Sequence, residues 1–485
     1  MSYFLIGLYL LPLLFLFGYS LMQLSLIIQH FRYNETTQTQ TLSYFPHVTI
    51  QLPLYNEKYV AERLIDNIVK MDYPWEKLEI QILDDSTDET SEIIKESVQK
   101  YAAQGLSIIH IRRDDRVGFK AGALKYGLEL AKGDLIGIFD ADFLPNIDFL
   151  KRTVPYFENA SIGVVQTRWG HLNKNYSLLT QLQAFGLDAH FMIEQTGRNA
   201  ANHFINFNGT AGIWRKSTIY DAGNWSADTL TEDLDLSYRA QLKGWKFAYL
   251  RDVVAPAELP ITMPAIRSQQ YRWMKGGAEC FVKNVKKIRS SDYSLGTKFH
   301  GIFHLLNSSI FIAVLLSSFM SIGMVLGLNE FILNNKWIVA ITGVFQLNWL
   351  ILATFYWLAF RENNGKFIDY LRTFIPFLVL MMGLSLHNSI AVIEGLIGRK
   401  TPFIRTPKFN ISEKDSAWTN TYSLKKLNKI TYVEMAIAAT ASIALLLEIK
   451  HEYWGLIPYH LMLFLGYTAV SIISIKHSLL GKKAH

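Results

Sequence analysis

Apolar residues follow two regimes along this chain. Near the N-terminus and through the C-terminal third they form long runs, whereas from residue 45 to about 290 they come in short clusters separated by amphipathic stretches. A hydrocarbon core of roughly 30 Å needs about 20 apolar residues at about 1.5 Å each. Runs at 3–28, 302–328, 337–360, 373–393, about 430–447 and 454–475 meet or approach that length. The first has no basic residue before it, is too long for a signal-peptide core and lacks a small-residue cleavage pattern, so it predicts a retained anchor. His30 and Arg32 follow it, and the positive-inside rule then puts residues from 32 onward in the cytoplasm.

Charge decides among the remaining runs. A full crossing by 373–393 would put the 398–430 loop outside, carrying Arg399, Lys400, Arg405, Lys408, Lys414, Lys425, Lys426 and Lys429. We therefore expect five spans and an interfacial or re-entrant segment at 371–397, which contains Pro376, Gly383, His387 and Asn388. The expected organisation is an anchor at 1–32, a soluble domain at 45–260, amphipathic interface helices at 261–300, and a membrane region at 301–478. A cytoplasmic loop at 398–430 interrupts that last region.

In the soluble domain, β-branched runs at 48–54, 78–83, 106–111, 134–139 and 162–167 alternate with helical periodicity at 57–70, 89–103 and 119–131. This is the βαβ signature of a doubly wound, mostly parallel α/β sheet, whose ligands sit at the carboxyl ends of strands. Polar residues recur at those ends: Pro53, Tyr55, Asn56 and Glu57, then Asp84, Asp85, Ser86 and Asp88, then Asp140 and Asp142. No Gly-x-Gly-x-x-Gly turn follows the first strand, which disfavours a dinucleotide oxidoreductase.

The 485 residues are 50% hydrophobic and 13% aromatic, high for a wholly soluble protein, so composition agrees with lipid contact. The net charge of +7 suits anionic lipid and phosphate, and no basic, aromatic-interleaved stretch points to nucleic acid. Cys280 is the single cysteine, which excludes a disulfide framework and a cysteine zinc site.

Several short motifs carry candidate chemistry. Asp84 and Asp85 can accept from a base and a ribose, while Ser86-Thr87-Asp88 can equally be the cap of the next helix. Asp140-Ala141-Asp142 puts two carboxylates where they repel unless a cation lies between them, and a divalent ion bridging a diphosphate is the natural occupant; a solvated loop is the alternative. Lys120 opens a helix in Gly118-Phe119-Lys120-Ala121-Gly122-Ala123, a setting that favours phosphate. Thr231-Glu232-Asp233 reads either as a capped acidic helix start or as the seat of a general base, Asp233. Asn208-Gly209-Thr210-Ala211-Gly212 is a turn suited to close ligand approach. Gln269-Gln270-Tyr271-Arg272-Trp273 combines amides, a guanidinium and an indole, which fits a pyrophosphate beside a sugar but also an interfacial aromatic anchor.

In this order and spacing, Asp84-Asp85, Asp140-Ala141-Asp142, Thr231-Glu232-Asp233 and Gln269 to Trp273 resemble the family 2 glycosyltransferases of cellulose-synthase-like type. The stretch from Phe207 to Arg215 and the Gln-Gln-x-Arg-Trp form look most like the plant mannan and glucan backbone synthases. The resemblance implies a GT-A (Rossmann-like) α/β domain beside an α-helical transmembrane domain. It also implies a UDP- or GDP-sugar donor such as UDP-glucose or GDP-mannose, a glycan acceptor, Mg²⁺ or Mn²⁺, and transfer with inversion. By that likeness Asp84, Asp85, Glu57, Lys120, Asp140, Gln269 and Arg272 surround the donor nucleotide and diphosphate, and Asp140 and Asp142 hold the metal. Asp233 is the base within Thr231-Glu232-Asp233, and Trp273, Asn208, Gly209 and Thr210 face the acceptor. A single base suffices for direct displacement at the anomeric carbon. Phe403-Ile404-Arg405-Thr406-Pro407-Lys408 fits the Phe-x-x-Thr-x-Lys pattern of the gating loop in bacterial cellulose synthase, with Phe403, Thr406 and Lys408 matched and Arg405 in place of the family's valine. A loop that binds lipid headgroups is the alternative.

The expected function is a membrane β-glycan synthase of a bacterial inner membrane or a eukaryotic Golgi or plasma membrane. A lipid glycosyltransferase resembling ceramide glucosyltransferases is the alternative. A transporter with a nucleotide-sensing domain is disfavoured, because Asp233 and the carboxylate pair have no purpose there. A polymer path would want aromatics along the spans, with Trp337, Trp349, Phe355, Tyr356, Trp357 and Trp454 as candidates.

Overall fold

The computed structural model describes residues 2–33, 44–327, 335, 341, 343–406, 408–411, 427–452 and 454–483. Its α/β part is built on one sheet of seven strands: β1 Val48–Leu54, β2 Leu78–Asp84, β3 Ser107–Arg112, β4 Leu135–Ile138, β5 Ile162–His171, β6 Gly212–Arg215 and β7 Lys246–Ala257. Their order is β3-β2-β1-β4-β6-β5-β7. β3, β2, β1 and β4 are mutually parallel, and every residue of β2 is buried, as expected of a strand covered on both faces. β6 runs antiparallel to β4 and β5, so the sheet is mixed rather than uniformly parallel. The first five strands lie where the apolar runs predict them. β6 has four residues and β7 carries Lys246, Arg251, Asp252 and Pro256, so neither shows the alternation that marks a strand.

Apolar clusters pack on the two faces of this sheet, one centred on Ile50, Leu64 and Phe149, the other on Leu124, Ile136 and Trp214. The carboxyl ends of β1, β2 and β4 and the turns after them face the helix Met263–Ser290. That helix starts cleanly: Thr262 Oγ1 accepts from the Ala265 amide at 3.4 Å and Pro264 occupies the first turn.

Five described helices are long and apolar enough to cross a membrane: Ile6–His30, Gly343–Glu362, Phe367–Leu396, Ile430–Lys450 and Ile457–Leu479. A sixth candidate, Leu295–Leu305 with Asn307–Gly323, is bent by 57°. The segment expected to be interfacial or re-entrant, 371–397, lies almost wholly in one continuous helix, and the bend lies in the earlier segment. Phe367–Leu396 runs unbroken through Pro376. Gly383 is a contact point rather than a breaker, because a Cβ there would come within 2.3 Å of the Gly466 carbonyl, so two helices touch backbone to backbone.

The turn before this helix is tied to the sheet and the segment after it to the Met263–Ser290 helix. Just before it, Glu362 pairs with Arg251 of β7 at 2.9 Å and Arg168 of β5 reaches Asn363 at 3.4 Å. Just after it, Lys275 Nζ donates to the Arg399 carbonyl at 2.6 Å. Three of the aromatic candidates for a polymer path are packed against other side chains or buried. Tyr356 stacks on Phe185 with centroids 5.1 Å apart, Trp357 lies edge-on to Tyr370, and Phe355 is buried, while Trp454 is exposed. Trp337 lies outside the described residues.

Candidate active site

A cavity open to solvent lies between the carboxyl edge of the sheet, the Met263–Ser290 helix and the loop that carries Phe403, Arg405, Thr406 and Lys408. Residues 269, 272 and 273 stand at i, i+3 and i+4, so one helix face presents Gln269, Arg272 and Trp273 to it. Tyr271 falls on another face and binds Glu394. Gly276, one turn on, lets this helix press against the loop before Asp233, since a Cβ there would sit 2.5 Å from Thr231 Oγ1.

Nearly all residues singled out from sequence line this one cavity: Glu57, Asp85, Lys120, Asp140, Asp142, Asn208, Gly209, Thr231, Glu232, Asp233, Gln269, Arg272, Trp273, Phe403, Thr406 and Lys408. Two do not. Asp84, expected beside the donor, is 1% exposed and turned away, because neighbours on a strand point to opposite sides. Its carboxylate accepts from the Ser86 amide at 2.8 Å, Ser91 at 2.7 Å, His110 at 2.9 Å and Arg112 at 3.1 Å. Those hydrogen bonds outweigh burial and hold its pKa down at about 2. Thr210, expected at the acceptor, is buried and instead steadies the carboxylate turn, its Oγ1 accepting from the Asp140 amide at 2.9 Å.

Thr231 makes no side-chain cap; its Oγ1 lies 3.5 Å from Cys280 Sγ on the Met263–Ser290 helix. Asp233 faces Gly209, where φ is +80° and a Cβ would lie 3.0 Å from Asp233 Oδ2. Glycine is required there on both counts. Enclosure away from bulk water and then the neighbouring Glu232 carboxylate push the Asp233 pKa up to about 7.

Each metal-candidate carboxylate holds a lysine: Lys120 Nζ to Asp140 Oδ1 at 2.5 Å and Lys408 Nζ to Asp142 Oδ2 at 2.6 Å. The turn thus already stabilises two cations. No cluster of three or more His, Cys, Asp or Glu side chains occurs among the described residues, so a divalent ion at Asp140 and Asp142 would take its other ligands from phosphate oxygens and water. That partial, all-oxygen set fits Mg²⁺ or Mn²⁺.

The 403–408 loop is seated in the cavity. Arg272 donates to Thr406 Oγ1 at 2.8 Å and lies 4.8 Å from the centroid of the Phe403 ring. Phe403 in turn stacks on Phe119 at 5.8 Å. Arg405 pairs with Glu57 at 2.7 Å. Burial, only partly offset by Arg405, lifts the Glu57 carboxyl to about 7. Sequence inspection did not assign several cavity residues, among them Arg116, Trp169, His171 and Glu258. Trp169 sits 6.4 Å from Trp273 and could have been sought as a second indole at the end of a strand.

Residues 46–276 match the protein family described as "Glycosyltransferase like family 2". The chain carries a family 2 glycosyltransferase domain. The chain is 42% identical over 268 residues to glucomannan 4-beta-mannosyltransferase 1 of Oryza sativa subsp. japonica, covering 54% of this chain and 51% of that protein. It is 44% identical over 251 residues to glucomannan 4-beta-mannosyltransferase 2 of Arabidopsis thaliana, covering 51% and 47%. The chain therefore aligns with about half the length of these curated relatives. A mannosyltransferase from Pyrobaculum calidifontis, solved in complex with GDP-Man and Mn²⁺, superposes with a TM-score of 0.58 over 82% of this chain and 100% of that one at 19% identity. That superposition identifies a GT-A-like mixed-sheet α/β fold beside the apolar C-terminal helices.

Proposed function

We propose that this chain is an inverting glycosyltransferase that moves a hexosyl group from a nucleoside-diphosphate sugar onto a growing β-linked polysaccharide at the membrane surface. The observation that carries this reading is the single cavity in which Asp233, Asp140, Asp142, Lys120, Arg272 and Trp273 converge from four separate sequence motifs. Asp233 takes the proton of the attacking acceptor hydroxyl, a task suited to a carboxylate with a pKa near the working pH. Lys120 and Arg272 stabilise the charge that develops on the departing diphosphate. Trp273 offers a flat face to the acceptor sugar. Asp140 and Asp142 would hold Mg²⁺ or Mn²⁺, which neutralises phosphate charge when bound.

The relatives' names, glucomannan 4-beta-mannosyltransferase, support a mannosyl donor and a polymeric product over a glycolipid. Arg399, just after Phe367–Leu396, accepts from Lys275 of the helix that carries Arg272, which supports placing that end of the helix on the catalytic side. Passage of the polymer through the remaining helices is part of the same proposal.

Membranes containing the full chain, given labelled GDP-mannose and UDP-glucose with Mn²⁺ or Mg²⁺, are expected to form polymer that resists organic extraction. A chloroform-soluble product would instead establish the lipid glycosyltransferase. EDTA is expected to lower transfer by about 100-fold or more, with recovery on adding Mn²⁺; full activity in EDTA would remove the metal from the mechanism.

The Phe403 to Lys408 loop is proposed to close over bound donor. Removing the Arg272–Thr406 contact by Thr406→Ala is expected to reduce turnover by about tenfold with a smaller change in donor affinity. Unchanged turnover would sink the closure role.

A further inference from the structure

Arg116 is the one cation lining the catalytic cavity, among the described residues, that neither donates a hydrogen bond nor forms an ion pair. Lys120, Lys408 and Arg405 are each paired with a carboxylate, and Arg272 donates to Thr406. Arg116 instead lies over the Tyr55 ring, its guanidinium carbon 3.3 Å from the ring centroid, with Phe119 at 5.0 Å. Its Nε is buried and without a partner. Aromatic stacking fixes the plane of a guanidinium while leaving its N–H edge free.

The loop that carries Arg116 is rigidly held beside Asp85. Arg113 grips Asp85 through Nε at 3.0 Å and Nη2 at 2.5 Å, and donates to the Val117 carbonyl at 2.9 Å and the Phe119 carbonyl at 3.1 Å. Arg113 is thus committed to the fold. Asp85, with each oxygen bonded once, keeps lone pairs for a ligand.

We propose that Arg116 reads the base of the donor nucleotide and selects guanine. The inference rests on the proposed use of this cavity for a nucleotide sugar. A planar guanidinium with a free fork matches two adjacent in-plane acceptors, and guanine presents such a pair in N7 and O6. Uracil offers an isolated carbonyl to the same fork, so one of the two hydrogen bonds is lost. Asp85, on the opposite side of the demand, accepts from a base N–H or a ribose hydroxyl, which phosphate cannot supply.

The test is nucleotide binding to the purified full chain by calorimetry, without turnover, so that failure of base recognition and failure of sugar transfer are separate results. Wild type is expected to bind GDP more tightly than UDP. Arg116→Ala is expected to weaken GDP by about tenfold and UDP by less than about threefold, in line with one bidentate base contact. On wild type, 7-deaza-GDP, which lacks the N7 acceptor, is expected to bind less tightly than GDP, and on Arg116→Ala the two are expected to bind alike. Equal weakening of GDP, UDP and pyrophosphate by Arg116→Ala would assign Arg116 to phosphate and overturn the proposal. So would 7-deaza-GDP binding to wild type as tightly as GDP, a comparison that needs no variant to fold.

Discussion

Asp233→Asn is expected to lower sugar transfer by about 100- to 10,000-fold while donor binding changes little, the range typical of losing a general base. The amide keeps the size and the neutral hydrogen-bonding capacity of the side chain but cannot accept a proton. It also relieves the repulsion between Asp233 and Glu232, so the variant is expected to fold at least as well as wild type. Turnover is measured with GDP-mannose and UDP-glucose, and affinity by calorimetry with the free nucleoside diphosphate. Full transfer by Asp233→Asn would refute the mechanism and return the domain to nucleotide sensing.

The pH dependence follows from the same group. Burial and Glu232 raise the Asp233 pKa to about 7, so below that pH the base is protonated and idle, and above it the base is available. Transfer is therefore expected to rise with pH through an acid limb centred near 7 in kcat/KM, well above the usual carboxylate range. In Asp233→Asn the residual activity is expected to lose that limb. Retention of the limb in the variant would assign it to another group, and Glu57, also raised to about 7, is the alternative present in the cavity.

Arg272→Ala carries the second large effect, an expected loss of about 100- to 1,000-fold in turnover, as for removal of a donor aimed at developing charge. Its guanidinium has no carboxylate partner, donates to Thr406 at 2.8 Å and keeps Nε buried and unpaired, so its remaining donors are available to a leaving diphosphate. Arg272→Lys keeps the charge and loses the planar fork, so intermediate turnover is expected. Equal loss of turnover and of nucleoside-diphosphate affinity in Arg272→Ala would place the contact in the ground state rather than in the transition state. Because Arg272 also lies against Phe403, the double variant with Thr406→Ala is expected to be less than additive.

Much of the site was legible because its motifs are local. The end of a strand, the two-residue spacing of Asp140 and Asp142, and the i, i+3, i+4 spacing of Gln269, Arg272 and Trp273 each follow from the period of one element. Asp84 shows where this fails. It shares a motif with Asp85, yet its side chain points the other way and is consumed by His110, Ser91 and Arg112, which come from elsewhere in the chain. Arg116 was missed for the same reason, since nothing in its own loop reveals that Tyr55 lies beneath it. Of the aromatics expected along a polymer path, Tyr356 and Trp357 pack against Phe185 and Tyr370, a partnership that hydropathy cannot distinguish from a lined channel.

The sequence by itself determined the division into a soluble α/β domain and an apolar helical region, the first five strands, and the membership of most of the cavity. These depend on periodicity and on the length of uncharged runs, which neighbouring residues settle among themselves. Only the tertiary structure decided which face each motif turns to the cavity, that β6 enters the sheet antiparallel, and that Phe367–Leu396 runs unbroken. It also decided that Lys408 reaches Asp142 and Arg405 reaches Glu57 across more than 260 residues of chain. Contacts of that kind arise from the packing of distant elements, where burial and charge pairing select one arrangement among many that the local pattern allows.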